Sequence, residues 1–252
     1  MIIDKPISSD IPAMRALWHE AFGDSDAEID IFMKTAFSPE RARVAYLDGS
    51  VAGALYWLDC EACGEKYAYI YAVATAEKFR GRGACTALMK NTHLHLKSLG
   101  YAAAILVPSS AELFDFYARI GYEKSTYIDE NCINASKSAC DVRKISPCEY
   151  GKIRRKLLPR DAVIQENESL EYLGATHSLY YGGGALLAAR GEGDTLVCAE
   201  LLGRTDASAE IAAALGYSKI SYRTQGSSRP FSMWYPLKPS LIQPSYLGLA
   251  FD

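Results

Sequence analysis

The sequence predicts a mixed α/β fold, with helices packed on mixed sheets in two successive halves. Three observations carry that expectation. A tyrosine-rich apolar run, residues 67–75, passes through the basic turn Arg80-Gly81-Arg82-Gly83 into a helical segment and then a second apolar run, residues 102–107. Such strand–helix–strand units join parallel neighbours by a right-handed crossover. Upstream, residues 43–47 and 51–58 alternate about Asp48-Gly49, a tight hairpin signal. Downstream, a strand–helix–Gly-Tyr unit recurs at an offset of 95 residues, so that Gly121-Tyr122 face Gly216-Tyr217, Ser110 faces Thr205 and Tyr127 faces Tyr222. That self-similarity points to a duplicated fold.

Taken in order, Ser9 and Asp10 cap a first helix over residues 11–22, which has Pro12 in its first turn. Residues 27–37 form a second helix with Ile29, Phe32, Met33 and Phe37 on one side. The hairpin strands and the run 67–75 follow, then a helix over 86–99 closed by Gly100. A short strand over 102–107 and a helix over 111–120, stopped by Gly121-Tyr122, complete the first half. Residues 131–147 read as a strand end plus linker. Beyond them the sequence predicts a strand at 141–145, a helix at 149–158, strands at 185–189 and 196–202, and a helix at 205–215. The division expected is residues 1–135 and 136–252.

The turn at 80–85 has its own chemistry. The first N–H groups of a helix lack intrahelical partners, and the helix dipole adds positive charge there. With Arg80 and Arg82 beside it, the turn is an anion site suited to a pyrophosphate.

Arg80-Gly-Arg-Gly83-Ala-Cys85, followed by helix, strand and Phe116-Tyr117-Ala-Arg119-Ile-Gly121-Tyr122, resembles the signature of the GNAT superfamily of acetyl-CoA-dependent N-acetyltransferases. Cys85 stands where that family has a small residue. The resemblance covers roughly residues 1–130 and implies acetyl transfer from acetyl-CoA, as co-substrate, to an amine by direct attack. It implies that Val73, Ala74 and Thr75 pair with the pantetheine arm. Gly81, Arg82, Gly83, Ala84, Cys85 and Thr86, with Arg80, would hold the pyrophosphate, and Ser110 would touch the cofactor. Tyr117 would be the general acid to the departing thiolate. Residues 67–75 hold no acid to serve as base, and Glu112 and Asp115 suit a solvated face. In tandem acetyltransferases of the enhanced-intracellular-survival type a chain-terminal carboxylate enters the site, which makes Asp252 the candidate here, at the end of an apolar tail.

The second half has no Arg-x-x-Gly turn opening a helix, and Ala212 faces Tyr117 in the repeat. It is expected to be a degenerate GNAT-like domain that walls the acceptor pocket. The alternative reading is a non-catalytic acyl-CoA-binding or regulatory module.

Twenty-seven basic against 30 acidic residues give no basic surface for nucleic acid, and Arg154-Arg155-Lys156 reads as a solvated helix face. No apolar run approaches the ~20 residues of a membrane span, and residues 1–6 lack the regions of a signal peptide. Seven irregularly spaced cysteines suit a reducing, cytoplasmic setting. Cys60 and Cys63 fall at a hairpin turn, and His93 and His95 lie on different helix faces, so no metal site is expected. The expected partner is a small-molecule or peptide amine; a homodimer is compatible with the sequence.

Overall fold

The computed structural model describes residues 1–251. Its first half runs β1 (Ile2–Asp4), α1 (Ile11–Phe22), α2 (Asp26–Thr35), β2 (Ala42–Leu47), β3 (Ser50–Ala62), β4 (Glu65–Thr75), α3 (Ala84–Ser98), β5 (Ala103–Leu106), α4 (Ala111–Arg119) and β6 (Glu123–Lys124). The chain continues through β7 (Tyr127–Asn134), β8 (Val142–Lys144), α5 (Pro147–Leu157), β9 (Ile164–Gln165), α6 (Glu168–Thr176), β10 (Ser178–Gly182), β11 (Ala185–Glu192) and β12 (Thr195–Gly203). It closes with α7 (Ser208–Ala214), β13 (Lys219–Gln225), β14 (Arg229–Pro230) and β15 (Met233–Pro236).

Local chemistry sets most boundaries. Asp48-Gly49 and Cys63-Gly64 both adopt left-handed backbone, the geometry of two-residue hairpin turns. Gly23, at φ 77°, ends α1. Ser25 and Glu28 form a reciprocal capping box at the start of α2. Ser146 caps α5, and Pro147 occupies its first turn.

Two mixed sheets result. The first has the order β1-β2-β3-β4-β5-β15-β6, with β9 added to β3; the second is β8-β10-β11-β12-β13-β7-β14. The two orders match strand for strand. In each, the middle strands are antiparallel and one parallel pair, β4 with β5 or β12 with β13, is joined through a helix. By this topology α5 and α6 correspond to α1 and α2, and α7 corresponds to α3. The fold is duplicated, but in a different register from the 95-residue offset, which had placed α7 opposite α4. Sequence similarity between two amphipathic strand–helix units misled there, because such units share a pattern without sharing a place in the sheet.

Each half also lends the other a strand. β7 lies within residues 1–135 yet joins the second sheet, and β15 belongs to the second half yet stands between β5 and β6 of the first. The sheets therefore do not divide where the expected boundary at 135/136 falls. Where the exchanged segments cross, Thr126 and Ser232 are buried and their hydroxyls lie 2.7 Å apart. The Phe231 N–H donates to the Thr126 carbonyl at 2.8 Å.

The core of the first half has two layers. Trp18, Phe32 and Tyr56 cluster beneath α1 and α2, with ring centroids 5.0–5.2 Å apart. Leu88, Met89 and Leu96 of α3 cover the other face, against Trp57, Ile70 and Ala104. The halves meet where Phe32 of α2 packs on Tyr172 of α6, centroids 5.5 Å apart. The side chain of Glu168 also accepts the Asp59 N–H at 3.0 Å.

His93 fastens α3 to the borrowed strand. It is buried, stacks on Tyr235 at 4.1 Å and bonds the Tyr122 hydroxyl at 2.8 Å. Burial lowers its pKa to about 4. Below its ordinary value near 6.5 the unfolded chain takes up a proton that the fold refuses, so the fold loses stability as pH falls from about 6.5 toward 4, by roughly 3 kcal/mol in all. Urea midpoints at pH 5 and 7 should differ accordingly. His93→Gln should flatten that difference; an unchanged difference would assign it to other groups.

Candidate acyl-transfer cleft

β4 and β5 pair only through Tyr67↔Ala103, Ala68↔Ala104 and Tyr69↔Ile105. Beyond that point they part, for two reasons read from the chain. Pro108 has no N–H to extend the ladder. β4 also kinks at Ala72, where φ is 47° and its register on β3 slips. Gly53 of β3 accommodates the kinked strand, because a Cβ there would stand 2.9 Å from the Ala74 carbonyl. The result is a cavity of about 260 Å³ whose walls include Tyr71, Ala72 and Val73 on β4, Val107 after β5, and Tyr117 on α4.

At the carboxyl end of β4 the chain makes a short turn and enters α3 at Ala84, two residues earlier than the sequence pattern suggested. Gly81 and Gly83 have φ of 72° and 78°, and a Cβ on either would meet nothing within 4 Å. Glycine is required here by backbone conformation, and the space in front of it is open. Among the described residues, the N–H groups of Gly81, Arg82, Gly83, Ala84, Cys85 and Thr86 have no backbone acceptor. Arg80 donates from Nε to the Thr75 carbonyl at 3.3 Å, and Arg82 pairs with Asp48 at 2.9 Å. This cradle of free donors beside two cations fits a pyrophosphate. Burial raises the Cys85 thiol to about 11, so it stays protonated and unreactive near neutral pH.

Tyr117 is buried, with its ring 5.5 Å from that of Tyr122, and burial pushes its hydroxyl well above the usual phenol range. Ser110 is the N-cap of α4, its hydroxyl accepting the Leu113 N–H. It lines an adjoining cavity of about 570 Å³ instead of the cleft itself. Glu112 and Asp115 are exposed, as their pattern suggested.

The chain end reaches the cleft. Ala250 and Phe251 line it; the Tyr69 hydroxyl donates to the Ala250 carbonyl, and the Tyr71 hydroxyl donates to that of Phe251 at 3.1 Å. Asp252, the candidate base, lies outside the described residues. Two features were missed in the sequence. Tyr67, Tyr69 and Tyr71 share one strand face by their spacing of two, the signal that would have found the tail's anchors. Asp24, in the loop between α1 and α2, accepts the Trp18 indole N–H at 2.8 Å and is a carboxylate on the cleft wall. Arg154 corrects an expectation: it is buried against Glu200, whereas Arg155 and Lys156 are exposed.

No curated protein matches the chain in sequence. Residues 3–125 match the family described as acetyltransferase (GNAT) domain. Among solved structures, a GCN5-related N-acetyltransferase from Anabaena variabilis is 17% identical, with a TM-score of 0.75 over 94% of this chain and 73% of that one. Eis1 from Mycobacterium abscessus is 14% identical, with a TM-score of 0.69 over 94% and 74%. A putative acetyltransferase from Pyrococcus horikoshii is 16% identical, with a TM-score of 0.66 over 98% and 93%. These likenesses extend across both halves and concern the fold. With the parted β4–β5 pair and the glycine turn both inside the matched stretch, residues 3–125 are a GNAT acetyltransferase domain.

Proposed function

We propose that the protein is an acetyl-CoA-dependent N-acetyltransferase acting on a small-molecule or peptide amine. The observation that carries the reading is the parting of β4 from β5 directly beside six unpaired amides. Acetyl-CoA supplies an activated acyl group as a thioester. In this reading, backbone groups of Val73, Ala74 and Thr75 take the pantetheine arm as an added strand would be taken. One of their N–H groups polarises the thioester carbonyl. The amides of residues 81–86, with Arg80 and Arg82, hold the pyrophosphate. Ser110 acts through the cap that fixes the start of α4.

The amine nitrogen attacks the carbonyl carbon, a C–N bond forms and the C–S bond breaks. Tyr117 gives its proton to the sulfur, and the side-chain carboxylate of Asp252 receives the proton leaving the amine. Asp24 adds a negative wall that favours a cationic acceptor. Among the described residues no helix is long and apolar enough to cross a membrane, and all seven cysteines are free; we read the enzyme as cytoplasmic.

Acetyl-CoA should raise the melting temperature by mass action. Gly83→Asp places a carboxylate in the anion cradle and should weaken acetyl-CoA binding by at least about tenfold, the scale of 1–2 kcal/mol of lost anion stabilisation. Gly64→Asp, at a turn glycine of the same φ away from the cleft, controls for backbone strain. Full affinity of Gly83→Asp by calorimetry would remove the pyrophosphate assignment. Binding without CoA release against a polyamine, an aminoglycoside, a lysine peptide and a free peptide N-terminus would favour a non-catalytic acyl-CoA module.

A further inference from the structure

The matching strand orders make β12 the counterpart of β4 and give the second sheet its own parting point, just past the last parallel pair, Val197↔Ser221. Here too the strand slips on its antiparallel neighbour, with Ala188 opposite Glu200 and Ala189 opposite Cys198. The turn that follows cannot act as an anion cradle. It reads Arg204-Thr205-Asp206-Ala207, with Asp206 ion-paired to Arg204 at 2.8 Å. Instead, Glu200 stands at the parting point and the chain's own tail lies against it.

Glu200 is 1% exposed, as is Arg154. Arg154 holds it from two nitrogens, at 2.7 and 2.9 Å, and the Tyr150 hydroxyl donates to Oε2 at 2.7 Å. The Tyr246 hydroxyl donates to Oε1 at 3.4 Å. The tail crosses this carboxylate at Gly248, where a Cβ would lie 1.9 Å from Oε1. Gly248 is not in the left-handed region, so it is the closeness of the Glu200 carboxylate and of the Tyr246 hydroxyl, which would stand 2.5 Å from that Cβ, that forbids a side chain. On either side stand Leu247 and Leu249, both fully buried, and a slip of one residue would drive a leucine into the carboxylate. The Gln165 side-chain amide fixes the Leu249 carbonyl at 2.7 Å. A buried ion pair adds little net stability over apolar packing, and its best use is to specify a register.

We propose that Glu200, fixed by Arg154 and Tyr150, is a positioning residue for acetyl transfer, setting the register in which the chain end enters the β4–β5 cleft. The degenerate half has turned the counterpart of its own acyl cleft into a clamp for the tail that serves the working half. This rests on the reading that the tail serves the acceptor amine.

The test uses the full chain carrying Gly248→Ala, with carboxypeptidase Y trimming followed by mass spectrometry, acetyl-CoA calorimetry, and turnover of the best amine among those named above. Trimming should accelerate about tenfold or more and kcat should fall about 10- to 100-fold, the scale for an ångström of misplacement. The acetyl-CoA Kd should stay within about twofold, because the pyrophosphate turn is remote from the clamp. Adding Glu200→Asp with Tyr246→Phe withdraws the carboxylate by one methylene and removes the hydroxyl, the two groups that crowd the new Cβ, and should restore both protection and kcat, which a merely weakened fold would not do. A protected tail with normal kcat overturns the proposal. Faster trimming with normal kcat overturns the reading that the tail serves the chemistry, and the positioning role with it. If Gly248→Ala does not fold, Tyr150→Phe keeps the packing and removes one bond to the carboxylate. It should lower kcat with acetyl-CoA affinity kept, and an unchanged kcat overturns the proposal.

Discussion

Tyr117→Phe is expected to lower kcat by about 10²-fold or more, the scale for losing a general acid, with acetyl-CoA affinity kept. The side chain is buried on the cleft wall, and among the described residues its hydroxyl bonds no other protein group, so removing one oxygen changes little of the packing. Burial holds the phenol above its ordinary pKa near 10, so it is fully protonated at neutral pH. Sign follows from direction: a raised pKa keeps the proton at higher pH, so this group should impose no alkaline fall in rate below about pH 10. Steady-state kinetics at saturating acetyl-CoA decide it. A kcat equal to that of the wild type would return Tyr117 to a packing role beside Phe116 and Tyr122.

Removing only Phe251 and Asp252 is expected to abolish transfer while acetyl-CoA still binds. A longer cut, from Leu247, is a poorer test, because Leu247 and Leu249 are fully buried in two different cores. Their loss would leave cavities on the scale of ~2–5 kcal/mol each and confuse folding with chemistry. The two-residue cut takes one of two partners from the Tyr71 hydroxyl, which keeps the Tyr172 hydroxyl at 3.1 Å, and spares the bonds to the carbonyls of Ala250 and Leu249. Single-turnover rates with preformed acetyl-CoA complex separate binding from chemistry. Normal turnover in the shortened chain would send the search for a base to Asp24 or to ordered water.

Much of the first half was legible because its signals are local. Asp48-Gly49 and Gly83 each act on residues within one turn of themselves: the first turns a hairpin and the second stands at the start of a helix, as the sequence suggests. The cleft was legible for the same reason: a strand, a glycine turn and a helix are neighbours in sequence. What escaped notice depends on distant partners. Arg154 looks solvated in its own helix, and only Glu200, 46 residues away, makes it a core residue. Residues 233–236 show nothing that distinguishes a strand of the first sheet from one of the second, since Met233 finds Leu106 across the whole intervening chain. The repeat was visible but misregistered, because amphipathic spacing repeats wherever a helix packs on a sheet.

The exchanged strands have a consequence for a chain made from one end. Leu106 pairs with Met233, so on the ribosome β5 waits for its neighbour until 127 further residues (233 less 106) have been added. At about 5–20 residues per second that wait lasts roughly 6–25 s. Meanwhile the nascent first half presents Ala103-Ala104-Ile105-Leu106, an uncharged apolar edge of the kind that pairs with other chains. A gene cut near residue 138 would yield two fragments that each hold the other's missing strand, soluble when made together and sticky when made apart.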